Sequence, residues 1–406
     1  MRRQSHVVEA PARILRASRS LLLMAIVPLS TGIAQPTGPI SVAVVRRTMS
    51  HGPMLYTHAA IGARGQVFAL SATGDIDLFD TESRFVRTVA ARGRGLPPNA
   101  TPVTIGVVGN DPWVFDPSSG HTYQFTSAGR LVETYGSVPP ASLDGGIFWT
   151  VEALSAHGTQ LWAQSATTDG VGSLMRDGRL MLRSDANGAA RDTIARLRIP
   201  NAAMVLRSPG GALWLRPQPW SAIDLVAFDR SGARGFVLRQ TSVKEPSTEA
   251  HVSIETFCVD SGGVAPAGGI DYQPVTISGD MIVRMVKSVE PADFARRFPS
   301  QESARRSVRG ALFVPQSLPF AMDVVASGEG TLFVQRTMTE WLRFDVKSQS
   351  AVRVQVPADV RIEDSRAARI IGLRSTATGT HQIVELSLEG WSSGTEQRTQ
   401  SATMEC

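Results

Sequence analysis

A short phrase recurs along this chain of 406 residues: a turn, then a short apolar couplet, then an aromatic residue. Its copies are Gly65-Gln-Val-Phe68, Thr159-Gln-Leu-Trp162, Gly211-Ala-Leu-Trp214 and Gly330-Thr-Leu-Phe333, with a looser copy at Asn110-Asp-Pro-Trp113. Taken in chain order, the aromatic residues are 45, 49, 52 and 119 residues apart, and the last gap has room for one more copy. A repeat of this period, built from short strands, is typical of a radial all-β array. The repeat therefore constrains the fold and leaves the function open.

Runs of four to six residues with alternating polarity, separated by Gly, Asp and Ser turns, indicate strands of a meander. Four such strands in about 40 residues make one blade of a β-propeller. The pattern is found over residues 59–89, 101–138, 149–197, 201–240, 252–288 and 317–357, and two further strands follow at 369–373 and 381–388. An open ring would leave exposed strand edges, so we expect residues 40–46 to complete the last blade and close the ring. Counting repeats gives seven blades, or six if the weak unit at 252–288 is a loop.

The first 34 residues have the layout of a secretory signal peptide. Five arginines precede an uncharged, mostly apolar stretch of 14 residues that ends at Gly32-Ile33-Ala34. Small residues at the last and third-last positions fit cleavage after Ala34. A membrane-spanning helix needs about 20 apolar residues, and Pro28 interrupts this stretch, so no membrane span is expected in the mature chain. The mature protein is predicted to be periplasmic or extracellular, without lipid attachment, because no cysteine lies just after the apolar stretch.

The rest of the chain is predicted to form one domain with two accessory segments. Residues 35–50 are a linker and closing strand, 51–390 the propeller, 291–310 an insertion between blades, and 391–406 a polar disordered tail. The insertion is rich in arginine and could bind an acidic partner, but runs of charge more often cover a solvated face.

Charge argues against a nucleic-acid partner. Removing the five leader arginines and Glu9 from 41 basic and 36 acidic residues leaves a net charge of +1. Nucleic-acid binding needs a basic face, and no basic cluster stands out outside the insertion.

The chain has two cysteines, Cys258 and Cys406. In an oxidising compartment they could form one disulfide that ties the tail to the propeller. Alternatively, Cys258 is a small buried hydrophobic residue and Cys406 a free thiol. Both alternatives stay open at this point.

Residues 318–388 resemble the C-terminal part of the secreted bacterial six-bladed β-propeller proteins related to NHL-repeat folds. The matching segments are Asp323-Val-Val-Ala-Ser-Gly-Glu-Gly-Thr-Leu-Phe-Val334, Trp341-Leu-Arg-Phe-Asp345, Ile370-Ile-Gly-Leu-Arg374 and Ile383-Val-Glu-Leu386. The first blade matches through Leu78-Phe-Asp80, Phe85-Val-Arg-Thr-Val89 and Arg92-Gly-Arg-Gly95. The resemblance covers most of the mature chain and its motifs are structural. It implies six blades, against seven from repeat counting, and most members of that family have no established activity.

Four Phe-Asp pairs recur in the repeats, at Phe79-Asp80, Phe115-Asp116, Phe228-Asp229 and Phe344-Asp345. We interpret them as structural: the aromatic ring packs between blades, and the carboxylate binds backbone N–H groups of the next turn. Motifs for a serine nucleophile, a zinc protease or a calcium loop are absent from the sequence.

Histidines are scattered along the mature chain at positions 51, 58, 121, 157, 251 and 381. Propeller sites gather residues from several blades at the axis, so scatter along the sequence does not exclude a shared site. His58 and His157 lie near predicted first strands, which line the channel, and are therefore the candidate axial-mouth residues. A lone histidine is more often structural, because an active site needs a constellation of groups.

Two functions are compatible with these features. The first is an exported binding or scaffold propeller that holds a protein, peptide or glycan ligand on one rim. The alternative is a metal-dependent lactonase or hydrolase with one divalent ion at the axial mouth, held by oxygens from several blades. Whether the protein is an enzyme stays open; no cofactor is predicted, and a monomer is expected.

Overall fold

The computed structural model describes residues 40–52, 54–136, 147–166, 179–197, 205–208, 211–214, 224–228, 234–240, 250–272, 321, 323–327, 330–337, 339–348, 350–366, 369–376 and 381–389. All regular elements within these ranges are β-strands. None of the described residues forms a helix that is long and apolar enough to cross a membrane.

The first half of the chain forms three consecutive four-stranded sheets. Unit 1 contains β2 (Tyr56–Ile61), β3 (Val67–Ser71), β4 (Ile76–Phe79) and β5 (Phe85–Arg92), with the short β6 (Gly95–Leu96) on its edge. Unit 2 contains β7 (Thr104–Val108), β8 (Asp111–Asp116), β9 (His121–Phe125) and β10 (Leu131–Tyr135). Unit 3 contains β11 (Ile147–Leu154), β12 (Gln160–Ala166), β13 (Arg179–Ser184) and β14 (Ala190–Leu197).

The second half begins with a separate hairpin, β15 (Val205–Ser208) and β16 (Gly211–Trp214), and continues with three more units. Unit 4 contains β17 (Asp224–Phe228), β18 (Arg234–Gln240), β19 (Ala250–Cys258) and β20 (Val264–Tyr272). Unit 5 contains β21 (Asp323–Ala326), β22 (Thr331–Gln335), β23 (Glu340–Asp345) and β24 (Ser350–Gln355). Unit 6 contains β25 (Val360–Arg366), β26 (Arg369–Ser375), β27 (His381–Glu389) and the N-terminal strand β1 (Ile40–Met49).

Six apolar clusters join these units face to face into a ring. Each cluster lies between two neighbouring units, in the sequence 1/2, 2/3, 3/4, 4/5, 5/6 and 6/1. Over the described residues the contacts thus close into a complete cycle. The fold is the predicted all-β propeller of four-stranded blades.

The recurring aromatic residues explain the period seen in the sequence. Phe68, Trp113, Trp162 and Phe333 each lie on the second strand of a unit and are almost fully buried. They pack in the clusters between neighbouring units. The copy at residues 211–214 differs, because it forms one strand of the separate hairpin and not the second strand of a four-stranded unit.

β1 closes the ring, as predicted. Its first residues pair parallel to β24, with Ile40 opposite Arg353, and most of its length pairs antiparallel to β27, from Val42 opposite Glu389 to Met49 opposite Ile383. The two ends of the chain thus share one sheet that joins units 5 and 6. The strand runs to Met49, three residues beyond the predicted end.

The outer strands differ in how their edges are protected. Register shifts interrupt the pairing of the outermost strand in units 1 to 4, and such irregularities discourage edge-to-edge association. The pairing of β23 with β24 has no such shift. β24 is the outer strand whose edge β1 covers, so β1 both closes the ring and protects a regular edge.

Two boundaries predicted from the sequence were wrong. Residues 224–240 belong to the same sheet as residues 250–272, and not to a unit that starts at residue 201. The last unit has three strands of its own, β25, β26 and β27, where the sequence predicted two, at 369–373 and 381–388. The end of the unit predicted at 252–288, from residue 273 onward, the insertion at 291–310, the leader and the tail lie outside the described residues.

The Phe-Asp pairs at 79–80, 115–116 and 344–345 have the predicted structural role, and Asp229 of the fourth pair lies outside the described residues. Phe115 is buried between units, and the carboxylate of Asp116 accepts hydrogen bonds from the backbone N–H groups of Thr101 (2.9 Å) and Ser118 (3.1 Å). The hydroxyls of Ser118 and Ser119 donate to the same carboxylate. Burial alone would raise the pKa of Asp116, but these donors outweigh burial and hold it below its usual value.

We expect Asp116→Asn to lower the free energy of unfolding at pH 7 by about 1–3 kcal/mol, because charge-assisted hydrogen bonds are lost. The folded-state pKa is depressed, so the contribution of the carboxylate is present above its unfolded pKa of about 3.9 and is lost as pH falls through the folded value. Urea unfolding at pH 7 and pH 3 measures both effects. Glu133→Gln, an exposed carboxylate of the same unit, is the control. Equal losses at both pH values would contradict this assignment.

Candidate functional site

The first strand of each unit lies at the axis of the ring. β25, β2, β7 and β11 contact one another in that order, and β17, β21 and β25 do the same on the other side. Side chains on these strands can therefore meet although they are far apart in the sequence. Polar groups on them are the natural components of an axial site.

Three charged or titratable side chains occupy equivalent places on neighbouring first strands. Asp323 on β21, Glu363 on β25 and His58 on β2 each lie three residues before the last residue of their strand. The pairing of β25 with β26 shifts between Ile362 and Asp364, which makes Glu363 the extra residue of a bulge. Bulges redirect side chains and are frequent beside functional sites.

His58 and Glu363 contact each other across the junction of units 1 and 6. His58 Nδ1 lies 3.3 Å from Glu363 Oε2, and the side chain of Glu363 is 3% exposed. The Arg361 guanidinium donates to the other carboxylate oxygen, Oε1. The charge of Glu363 raises the pKa of Arg361, although burial alone would lower it. The charge of Asp323 raises the pKa of Arg361 further. The carboxylate thus pairs with a guanidinium at one oxygen and with the imidazole at the other.

These contacts determine which nitrogen of His58 carries the proton. An ionised carboxylate only accepts hydrogen bonds, so Nδ1 must be the donor. In the neutral ring, Nε2 then keeps its lone pair. The ring makes its one hydrogen bond to the described residues through Nδ1, and the side chain is 27% exposed. In that tautomer the lone pair of Nε2 is open to a ligand.

Further polar contacts at the same junction have a structural role. Asp364 accepts a hydrogen bond of 2.7 Å from the backbone N–H of Ile61, which fixes β2 against β25. Farther out, Arg369 donates to the carbonyl oxygen of Gly65, and Ser83 donates to Glu385 over 2.7 Å. Several hydrogen bonds thus connect units 1 and 6. They fix the relative position of β2 and β25, the two strands that carry His58 and Glu363.

The two histidines singled out from the sequence are not brought together. His157 lies in the exposed turn after β11, where its backbone N–H donates to Ser155 Oγ over 3.1 Å. His58 lies within β2, on a different unit. Sequence reasoning missed Glu363 and Arg361, although three charges within residues 361–364 are unusual for a strand at the axis.

The other predicted site features are less completely described. Cys258 is buried at the end of β19, and no described cysteine is a free thiol. Its predicted partner, Cys406, lies outside the described residues. Within the part of the chain that the structure describes, no three His, Cys, Asp or Glu side chains are grouped as metal ligands would be.

Comparisons with known proteins bear on the fold alone. No protein-family model matches the chain, and neither does any curated protein. The solved structures that resemble it are β-propeller proteins. One of them, described as an exported protein of Bacteroides fragilis, is 9% identical to this chain, with 89% of this chain and 98% of that chain covered and a TM-score of 0.44. Streptogramin B lyase is 12% identical, with 85% of this chain and 98% of that chain covered and a TM-score of 0.38. The calcium-binding protein regucalcin of Agrobacterium tumefaciens is 10% identical, with 86% of this chain and 97% of that chain covered and a TM-score of 0.40.

Proposed function

We propose that the protein is an exported binding propeller that holds a protein, peptide or glycan ligand on one rim, next to His58, Glu363 and Arg361. The observation that carries this proposal is the open Nε2 of His58 beside a buried carboxylate paired with Arg361. A buried ion pair contributes little net stability to a fold. Stability therefore does not explain why Glu363 and Arg361 are paired at this position. Ionisable groups in such surroundings concentrate at functional sites. The ligand's hydrogen-bond donors would bind Nε2.

Peptide and glycan arrays probed with the mature protein test this proposal. We expect His58→Gln to lose a bound ligand and His157→Gln, a histidine in an exposed turn, to retain it. A single contact of this kind changes affinity by about 2- to 13-fold, since a typical hydrogen bond is worth about 0.5–1.5 kcal/mol. Arrays without any ligand, or ligands that both variants bind equally, would contradict the proposed site.

A metal-dependent hydrolase remains the second candidate from the sequence. It requires carboxylate, amide or carbonyl oxygens from several units around one ion. The described carboxylates at the closing junction are engaged: Glu363 by Arg361 and His58, and Asp364 by the backbone of β2. Thermal melts with calcium, magnesium, manganese, zinc or EDTA separate the candidates, because an ion at 100 times its Kd adds about 2.7 kcal/mol.

Export of the protein is part of this proposal. The leader of residues 1–34 has the charge, length and small-residue ending of a signal peptide, and β1 begins shortly after the predicted cleavage site. Sequencing the N-terminus of protein from a periplasmic or culture fraction should give Gln35. Intact Met1 in the exported fraction would contradict cleavage.

We also propose that Cys258 pairs with Cys406, since the exported chain meets an oxidising compartment and has these two cysteines alone. Peptide mapping without reduction should yield the Cys258 and Cys406 peptides as one linked species. Reduction, or Cys406→Ser, should lower the midpoint of thermal unfolding, because a disulfide typically contributes about 2–4 kcal/mol. Complete alkylation of both thiols in the native, unreduced protein would overturn the pairing.

A further inference from the structure

We propose that His58 and Glu363 form a histidine–carboxylate dyad in which His58 Nε2 removes a proton from water, so that the propeller hydrolyses carboxylic esters or lactones at its axis. The inference deepens the proposed ligand site and rests on it. It assigns a reaction to residues of two units that meet where the ring closes. The reaction needs no redox partner or organic cofactor.

The two residues of the dyad and Arg361 have distinct positions. Glu363 is almost fully buried and accepts from Arg361 at one oxygen and from His58 at the other, over 3.3 Å. Arg361 fixes the position of the carboxylate. Glu363 in turn fixes the tautomer and orientation of the ring and stabilises the imidazolium that forms when Nε2 accepts a proton. Glu363 and Arg361 are positioning residues, and His58 is the group that contacts the reacting water.

The hydrolytic step balances without another reagent. The oxygen of water forms a bond to the carbonyl carbon while one water proton moves to His58 Nε2 and the carbonyl electron pair moves to its oxygen. The tetrahedral intermediate then collapses, the bond to the alkoxy oxygen breaks, and the imidazolium returns its proton to the departing alkoxide. An ester gives an acid and an alcohol, and a lactone gives one hydroxy acid. His58 ends in its starting form.

A purely structural pair would look different at Nε2. A histidine that only links two strands has no need of a solvent-accessible second nitrogen, and the nearby Asp364–Ile61 contact already links β25 to β2. Here the side chain of His58 is 27% exposed, and no hydrogen bond to the described residues occupies Nε2. His157, which has no carboxylate partner among the described residues, provides an internal comparison.

The first test is hydrolysis of p-nitrophenyl acetate and of a δ-lactone by the full mature protein. General base catalysis contributes about 10²–10⁴-fold, so we expect His58→Gln to lose at least about 100-fold in kcat/KM. We expect Glu363→Gln to lower kcat with little change in KM and Glu363→Asp to restore part of it, as befits a positioning residue. His157→Gln should retain full activity. Turnover by wild type no faster than by His58→Gln, with both folded, would overturn the dyad.

A second measurement does not depend on turnover, and its first result, the reactivity of His58 in the wild-type protein, requires no variant. Diethyl pyrocarbonate acylates an unprotonated imidazole nitrogen, and mass spectrometry follows each histidine separately. We expect His58 in the wild-type protein to be acylated, and to be acylated several-fold more slowly in Glu363→Asp than in wild type, while His157 reacts equally in both. An unreactive His58 in the native protein would overturn the inference. Ligand binding that depends on His58 without any hydrolysis would refute the dyad and leave the proposed binding function standing.

Discussion

Replacing Ala43 by Asp should open the ring and lower the free energy of unfolding by about 3 kcal/mol or more, because a carboxylate would be buried without a partner. Ala43 is 3% exposed and packs in the cluster between units 5 and 6 together with Trp341 and Val354. Loss of β1 would also uncover the regular edge of β24, so we expect the variant to aggregate on heating.

The neighbouring residue provides a matched control for that substitution. Val42 lies on the same strand, is 45% exposed, and faces the opposite side of the sheet. Val42→Asp introduces the same charge, and we expect a change within about 0.5 kcal/mol. Urea unfolding of both variants, followed by fluorescence, measures the difference. Equal effects of the two substitutions would show that β1 is not packed as described.

We expect the second large effect from Trp162→Ala, with a loss of about 3–5 kcal/mol. Trp162 is almost fully buried between units 2 and 3, where its ring meets Phe115 edge to face at a centroid distance of 5.3 Å. Its Nε1 donates to Ser184 Oγ over 2.9 Å, so the substitution also removes the donor that this buried hydroxyl accepts from. Calorimetry of the variant measures the loss. Leu131→Ala, on the exposed outer strand of unit 2, should change stability little, and a similar loss there would contradict the assignment.

The fold could be predicted from the sequence because its signals are local. Turns, alternating strands and the buried aromatic residue of each second strand recur at the blade period. An open ring would leave strand edges exposed, which predicts a closing strand. β25 was missed because it lies at the axis and carries Arg361, Glu363 and Asp364, which break the apolar alternation of a buried strand. The boundary of unit 4 was wrong because β18 pairs with β19, across the boundary predicted between residues 240 and 252.

The candidate site could be predicted only in part, for the same reason. His58 stands out because it lies on a predicted first strand. Its partner Glu363 is 305 residues away and meets it only because the first and last units become neighbours on closure. No local pattern marks such a contact. His157 satisfied the same sequence criterion, but it lies in an exposed turn.

The tautomer of His58 tests the central claim most directly. Long-range nitrogen–carbon correlation NMR of the mature protein with labelled histidine reports which ring nitrogen carries the proton, and six histidines make the spectrum tractable. The signal that disappears in His58→Gln identifies the residue. For the neutral ring, the described site predicts a proton on Nδ1 and a bare Nε2. A proton on Nε2 with a bare Nδ1 would contradict the contact with Glu363, and with it both the proposed ligand site and the dyad.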